Sequence, residues 1–79
     1  VATRDEALSR KFKELIMLAE SVVMRCEPCI AVHMKKALEA GATEEEIMEV
    51  LATCLVMGGG PCLGYCGYAV RCYEEFAKR

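Results

Sequence analysis

The spacing of the apolar residues constrains the fold of this chain more than any other feature of the sequence. Near the start, apolar side chains recur at three- and four-residue intervals, which place them on one face of a helix. That series consists of Leu8, Phe12, Leu15, Ile16, Ala19, Val22 and Val23. No stretch shows the polar and apolar alternation of a half-buried strand. The sequence therefore predicts an all-α fold.

A second helix is predicted to begin near Cys26, because proline is tolerated best in the first turn of a helix and Pro28 lies there. Gly41 supplies a stop signal for this helix. The residues predicted to face inward are Cys26, Cys29, Ile30, His33, Met34 and Ala37.

Two further helices complete a predicted bundle of about four. Thr43 and Glu46 have the spacing of a capping box, and the glycines at 58–60 end the helix that follows. Its predicted inward stripe is Ile47, Val50, Leu51, Cys54 and Leu55. Pro61 suits the first turn of a fourth helix. That helix carries Cys62, Cys66, Ala69, Val70, Tyr73 and Phe76.

The apolar content exceeds what one small core can bury. The chain has 79 residues, 54% of them hydrophobic, and a mean hydropathy of +0.22. A domain of this size leaves a large share of its surface exposed. We therefore expect residues 1–79 to form a single domain whose excess apolar surface lies in a subunit interface.

Charge and hydropathy exclude several functional classes. A net charge of -2 gives no electrostatic basis for binding nucleic acid or an anionic membrane. The longest run without a charge or a proline, residues 50–60, is too short to span a bilayer. Because no basic leader with a following apolar run opens the chain, we expect a cytoplasmic protein.

Cys26 and Cys29 are the residues with the clearest chemical potential. Residues three apart share a helical face, so the two thiols can close a small disulfide ring. A helix N-terminus favours the thiolate, which is the form that attacks peroxides and disulfides. His33 lies four residues beyond Cys29 and is placed to carry the proton. The pattern predicts a redox-active thiol pair.

The same residues allow plainer interpretations. Cys26 and Cys29 are half of a zinc site, and Cys62 and Cys66 could be the other half. Such a module would be a non-enzymatic metal site or thiol sensor. A lone histidine such as His33 on an apolar face is often an ordinary core residue. The ample apolar content argues against a structural metal, because metal modules usually replace a missing core.

The order of these residues resembles a known family. Glu14, the Cys26-Glu27-Pro28-Cys29 segment and His33 are similar to the Glu-x11-Cys-x2-Cys-x3-His pattern of the alkylhydroperoxidase D-like group. That group lies in the carboxymuconolactone decarboxylase superfamily. Segments 13–16, 37–47 and 57–61 agree with it, so the resemblance covers about residues 8–75.

The resemblance implies a helical fold completed by assembly into trimers or hexamers. It also implies thiol peroxidase or disulfide reductase activity without a metal or an organic cofactor, supported by a thiol electron donor. The resemblance further implies that Cys29 attacks the peroxide and that Cys26 then resolves the oxidised Cys29. Glu14 and His33 form a proton relay. The alternative on the same family grounds is an enzyme acting on a different small organic substrate, although the cysteine pair argues against lactone decarboxylation.

Glu14 is singled out by the resemblance alone. The residue pattern by itself predicts an exposed carboxylate paired with Arg10 or Lys11 one turn back. The other four cysteines, Cys54, Cys62, Cys66 and Cys72, lie outside the motif. Their spacing predicts small buried hydrophobic residues, and the alternative is a second thiol pair at Cys62 and Cys66.

Overall fold

The computed structural model describes residues 3–78. In this part of the chain four α-helices are present and no strand, so the predicted all-α fold is confirmed. The helices are α1 (Arg10–Val23), α2 (Glu27–Glu39), α3 (Glu44–Gly58) and α4 (Leu63–Ala77). Helix α2 packs against both α1 and α4, and α1 also packs against α3.

Local sequence signals explain where these helices begin. The Ser9 hydroxyl accepts a hydrogen bond from Phe12 N at 3.0 Å and caps α1. Thr43 and Glu46 form the predicted capping box at the start of α3, with reciprocal hydrogen bonds of 2.9 and 3.1 Å. Each interaction satisfies backbone N–H groups that have no partner inside the helix.

The fourth helix begins later than predicted. Gly60–Cys62 form a single 3-10 turn, in which Cys62 N donates to Gly59 O at 3.0 Å. Pro61 lies in this turn, and α4 starts only at Leu63. The three successive glycines leave the chain free to tighten locally before the α-helix is established.

The core lies where the four helices meet. Its fully buried members are Leu18, Val22, Ile30, Met34, Ala37, Ile47 and Ala69. The prediction that residues of α2 face inward is confirmed for Ile30, Met34 and Ala37. The side chains of Cys26, Cys29 and His33 are only half-buried. In α3, Leu55 was predicted to face inward but is 38% exposed. The two sulfurs and the imidazole therefore lie at the margin of the core.

A tight turn between α1 and α2 positions Cys26. Cys26 N donates to Ser21 O and Arg25 N donates to Val22 O, at 3.0 and 3.1 Å. Arg25 has a φ of 59°, the left-handed conformation that commonly ends a helix. The turn places Cys26 directly at the N-terminus of α2.

Candidate thiol site

Cys26 and Cys29 are joined by a disulfide, with their Cα atoms 5.3 Å apart. Cys26 is the N-cap residue of α2, and Pro28 lies in the first turn as predicted. Pro28 has no N–H group, and its fixed φ suits this position. Both sulfurs thus lie at a helix N-terminus, where free N–H groups and the helix dipole stabilise negative charge.

Glu14 and His33 form the polar half of the site. His33 Nδ1 lies 2.8 Å from Glu14 Oε1, which joins α2 to α1. The Glu14 side chain is 1% exposed, whereas that of His33 is 24% exposed. The prediction that Glu14 pairs at the surface with Arg10 or Lys11 is wrong, and Lys11 instead pairs with Glu46 at 2.9 Å.

This pairing assigns a chemical role to each nitrogen of the imidazole. In the neutral ring, donation from Nδ1 to the buried carboxylate leaves Nε2 as the proton acceptor. His33 follows Cys29 by four residues, so the two share a face of α2. The proton acceptor and the thiol pair therefore lie on neighbouring turns of one helix.

The other four cysteines are free thiols inside the bundle. Three of the sulfurs face main-chain carbonyls: Cys54 faces Ala19 O, Cys62 faces Val22 O and Cys66 faces Leu51 O, at 3.6 to 3.9 Å. Cys72 is also buried. The prediction that these residues serve as small buried side chains agrees with their exposures, which lie between 1% and 9%.

Burial suppresses ionisation of two of these thiols. It raises the pKa of Cys54 to about 11, with further contributions from the nearby Cys66 and Cys62. The pKa of Cys66 is raised for the same reason, burial first and then Cys62. These sulfurs are thus protonated at neutral pH and poor nucleophiles.

The zinc alternative required Cys26, Cys29, Cys62 and Cys66 to converge. Within residues 3–78 no group of three or more histidine, cysteine or acidic side chains is arranged to hold a metal ion. Cys62 and Cys66 are both reduced, while Cys26 and Cys29 are bonded to each other.

Residues 3–78 contain no helix that combines the length and apolar character needed to cross a membrane.

The burial of Glu14 is one feature of the site that local sequence periodicity does not predict. The pattern of α1 places Glu14 at the edge of its apolar stripe, so periodicity alone does not distinguish an inward from an outward carboxylate. Only the distant His33 decides the matter, since its imidazole supplies the partner that a buried charge needs. Such a long-range pair is visible in the sequence only through a family pattern.

Comparison with known proteins identifies relatives along most of the chain. The family model described as the carboxymuconolactone decarboxylase family matches residues 1–64. An uncharacterized protein of Cupriavidus necator is 40% identical over 73 residues, which are 92% of this chain and 65% of that protein. Uncharacterized protein 4 in the cox locus of Paracoccus denitrificans is 35% identical over 75 residues, 95% and 68% of the two chains. The chain thus spans about two thirds of the length of these curated relatives.

Solved structures share the fold. A carboxymuconolactone decarboxylase family protein from Legionella pneumophila superposes with a TM-score of 0.91 at 44% identity, over 95% of this chain and 67% of that one. A protein of the same family from Thermotoga maritima superposes with a TM-score of 0.92 at 38% identity, over 96% and 78% of the two chains. The description of the Thermotoga protein connects it with an antioxidative response.

Proposed function

This chain belongs to the carboxymuconolactone decarboxylase family, and we propose that it is a thiol-dependent peroxidase and disulfide reductase of the alkylhydroperoxidase D-like type. The observation that carries the proposal is the contact between the buried Glu14 carboxylate and His33, one helical turn after the Cys26–Cys29 pair. A thiol pair supplies the nucleophile and the resolving group for peroxide reduction, and a positioned proton acceptor with its counter-charge assists the proton transfers.

In the oxidative half of the cycle the Cys29 thiolate attacks the terminal oxygen of a hydroperoxide. A sulfur–oxygen bond forms and the oxygen–oxygen bond breaks, so Cys29 becomes a sulfenic acid. The proton that His33 took from the thiol passes to the leaving alkoxide, which departs as the alcohol. Glu14 stabilises the imidazolium between these two proton transfers.

Cys26 then resolves the intermediate. Its sulfur attacks the sulfenic sulfur of Cys29, water leaves, and the Cys26–Cys29 disulfide forms. An external dithiol, or two molecules of a small thiol, restores the reduced pair by thiol–disulfide exchange and is itself oxidised to a disulfide. The peroxide gains two electrons and the donor loses two, so the cycle needs no metal or organic cofactor.

Two further observations support this assignment over the metal alternative. The remaining thiols are buried, and burial raises the pKa of Cys54 and Cys66, which leaves the half-buried pair as the reactive one. The Thermotoga maritima relative, which is 38% identical to this chain, is described in connection with an antioxidative response. We place the cycle in the cytoplasm, where thiol donors keep cysteines reduced.

We also propose that copies of this chain associate, as trimers or hexamers. Apolar side chains at the ends of α1 and α3 and at the start of α4 are largely exposed, and large exposed apolar patches mark interaction surfaces. The exposed fractions are 77% for Met24, 83% for Val56, 81% for Met57 and 64% for Leu63. Covering these side chains would account for the excess of hydrophobic residues.

Peroxide consumption with a dithiol donor tests the enzymatic proposal. Wild type should consume peroxide catalytically, whereas Cys29→Ser should show only the uncatalysed rate. Cys72→Ser is the matched control, since it removes a buried thiol that plays no part in the proposed cycle. Equal rates for wild type and Cys29→Ser would eliminate the proposal.

A further inference from the structure

Arg25 is the single non-glycine residue with a positive φ in the described part of the chain, 3–78. A side chain in this left-handed region is crowded against its own backbone, and glycine adopts the same conformation without that cost. The connection between α2 and α3 uses glycine for the same purpose, with Gly41 at a φ of 97°. At position 25, directly before Cys26, the backbone conformation thus favours glycine, yet the residue is arginine.

The Arg25 side chain has no polar partner in the described part of the chain. The residue is exposed, and no hydrogen bond or ion pair within residues 3–78 engages its guanidinium group. Only its backbone N–H is used, in the bond to Val22 O, and any residue with an N–H could supply that. Residues held in sparsely populated backbone conformations cluster at functional sites, which makes Arg25 a candidate for a role at the neighbouring thiol pair.

The nearest acidic residue along the chain is Glu27, in the first turn of α2. No ion pair joins it to Arg25 in the described part of the chain. Arg25 is thus a positive charge without a carboxylate partner among residues 3–78, directly before Cys26.

We propose that Arg25 is a specificity residue that draws a carboxylate-bearing thiol onto the Cys26–Cys29 disulfide. A guanidinium group pairs with a carboxylate through two parallel hydrogen bonds, which fixes direction as well as distance. Without such a cation an anionic reductant would approach a protein of net charge -2 against repulsion. The inference rests on the proposed function, because it concerns the reduction of the same disulfide.

The reductive step then runs as a balanced exchange. The thiolate of the incoming reductant attacks one sulfur of the pair, a mixed disulfide forms, and the other cysteine leaves as a thiolate. A second reductant thiolate attacks the mixed disulfide and releases the remaining cysteine. Two reductant molecules become one disulfide, and the two cysteine thiolates take up protons from the solvent or from His33. Arg25 binds the carboxylate of the reductant and takes no part in the bond changes.

Two small thiols of similar size but different charge test this inference. For the wild type and for variants at Arg25, we would measure at low salt how fast mercaptopropionate and mercaptoethanol reduce the disulfide. Each rate is divided by the concentration of thiolate, so that the different pKa values of the two reagents do not affect the comparison. We expect the wild type to favour the anionic reagent about threefold, the size of a single partly screened charge interaction. Arg25→Gln should lose this preference, and Arg25→Lys should keep part of it.

Arg25→Gly separates specificity from stability. It should lose the preference for the anionic thiol while raising the Tm by a few degrees, because glycine removes the left-handed crowding. Added salt should lower the wild-type preference toward that of Arg25→Gln. An unchanged preference in Arg25→Gln at low salt would overturn the inference while leaving the proposed function intact. A disulfide that neither thiol reduces would overturn the proposed function, and the inference with it.

Discussion

At the scale of one residue, Glu14 shows how a partner distant in the sequence allows a charged side chain to be buried. It follows the surface residues Arg10 and Lys11 on α1, yet only 1% of its side chain is exposed. A buried carboxylate is costly unless it is hydrogen-bonded, and His33 supplies the bond. The resulting pair fixes both the ring orientation and the nitrogen that accepts a proton.

Substitution of Glu14 by glutamine should therefore separate folding from activity. The amide oxygen of Glu14→Gln can still accept from His33 Nδ1, so we expect the variant to fold. Without the carboxylate charge the imidazolium is no longer stabilised, and peroxide turnover should fall by about tenfold or more. Glu20→Gln, an exposed carboxylate on the same helix, should match wild type. Equal turnover in Glu14→Gln would show that the relay is not used.

Cys54 predicts a pH dependence of stability. Burial raises its pKa to about 11 in the folded protein, from an ordinary value of 9.0. The unfolded chain thus loses this proton first, so the contribution of Cys54 to stability is complete below pH 9 and is lost as the pH rises toward 11. The free energy of unfolding, measured in urea across this pH range, should fall less for Cys54→Ser than for wild type, because serine does not titrate there. Parallel pH profiles for the two proteins would contradict the assignment.

Some site residues were predictable from the sequence and others were not, for a physical reason. The positions of Cys26, Cys29 and His33 follow from helical spacing, which is a local property. The burial of Glu14 depends on a residue 19 positions away, and helical periodicity, which places Glu14 at the edge of the apolar face, does not decide between burial and exposure. The left-handed conformation of Arg25 has no local signal, because arginine is not a residue that normally marks such a turn.

At the scale of the elements, the helix ends show which signals dominate. The capping box at Thr43 and Glu46 is local and strong, so α3 begins where the sequence predicts. The start of α4 was displaced because Pro61 is compatible with a 3-10 turn as well as with an α-helix. Periodicity thus predicts the existence and faces of the helices better than their boundaries.

Gly58 at the end of α3 should resist substitution because of Cys62. A methyl group added at Gly58 would overlap the Cys62 sulfur and lie 3.0 Å from its Cβ. Although alanine has the higher helix propensity, this overpacking should make Gly58→Ala less stable than wild type by about 1–2 kcal/mol. Chemical denaturation measures the difference.

The double variant identifies the cause. Cys62→Ala removes the obstructing sulfur, so Gly58→Ala should cost less in that background than in wild type, as a double-mutant cycle would record. If the cost is the same in both backgrounds, the sulfur is not what excludes a side chain at this position.

At the scale of the whole molecule, the exposed apolar end of the bundle predicts self-association. Val23, Met24 and Met57 line one groove of about 480 Å³ between α1 and α3, and Val56 is 83% exposed. The composition of the chain indicated surplus apolar surface, but composition has no spatial information and could not say where it lies. The fold collects much of it at these helix ends.

Light scattering after size exclusion tests this assembly. The wild type should have three or six times the monomer mass of 8.7 kDa. Met57→Glu should lower the mass, because burying the new carboxylate in an apolar interface is costly. Lys35→Glu changes charge at an exposed site on α2 and should leave the mass unchanged. A wild-type mass of 8.7 kDa would contradict the prediction.

The claim that the Cys26–Cys29 pair is the redox centre is tested most directly by counting thiols before and after one equivalent of peroxide. The fully reduced protein has six thiols. We expect four thiols to remain, namely Cys54, Cys62, Cys66 and Cys72, and we expect peptide mapping to find Cys26 joined to Cys29. If all six thiols remain, or if the missing two include any of the buried four, the Cys26–Cys29 pair is not the redox centre.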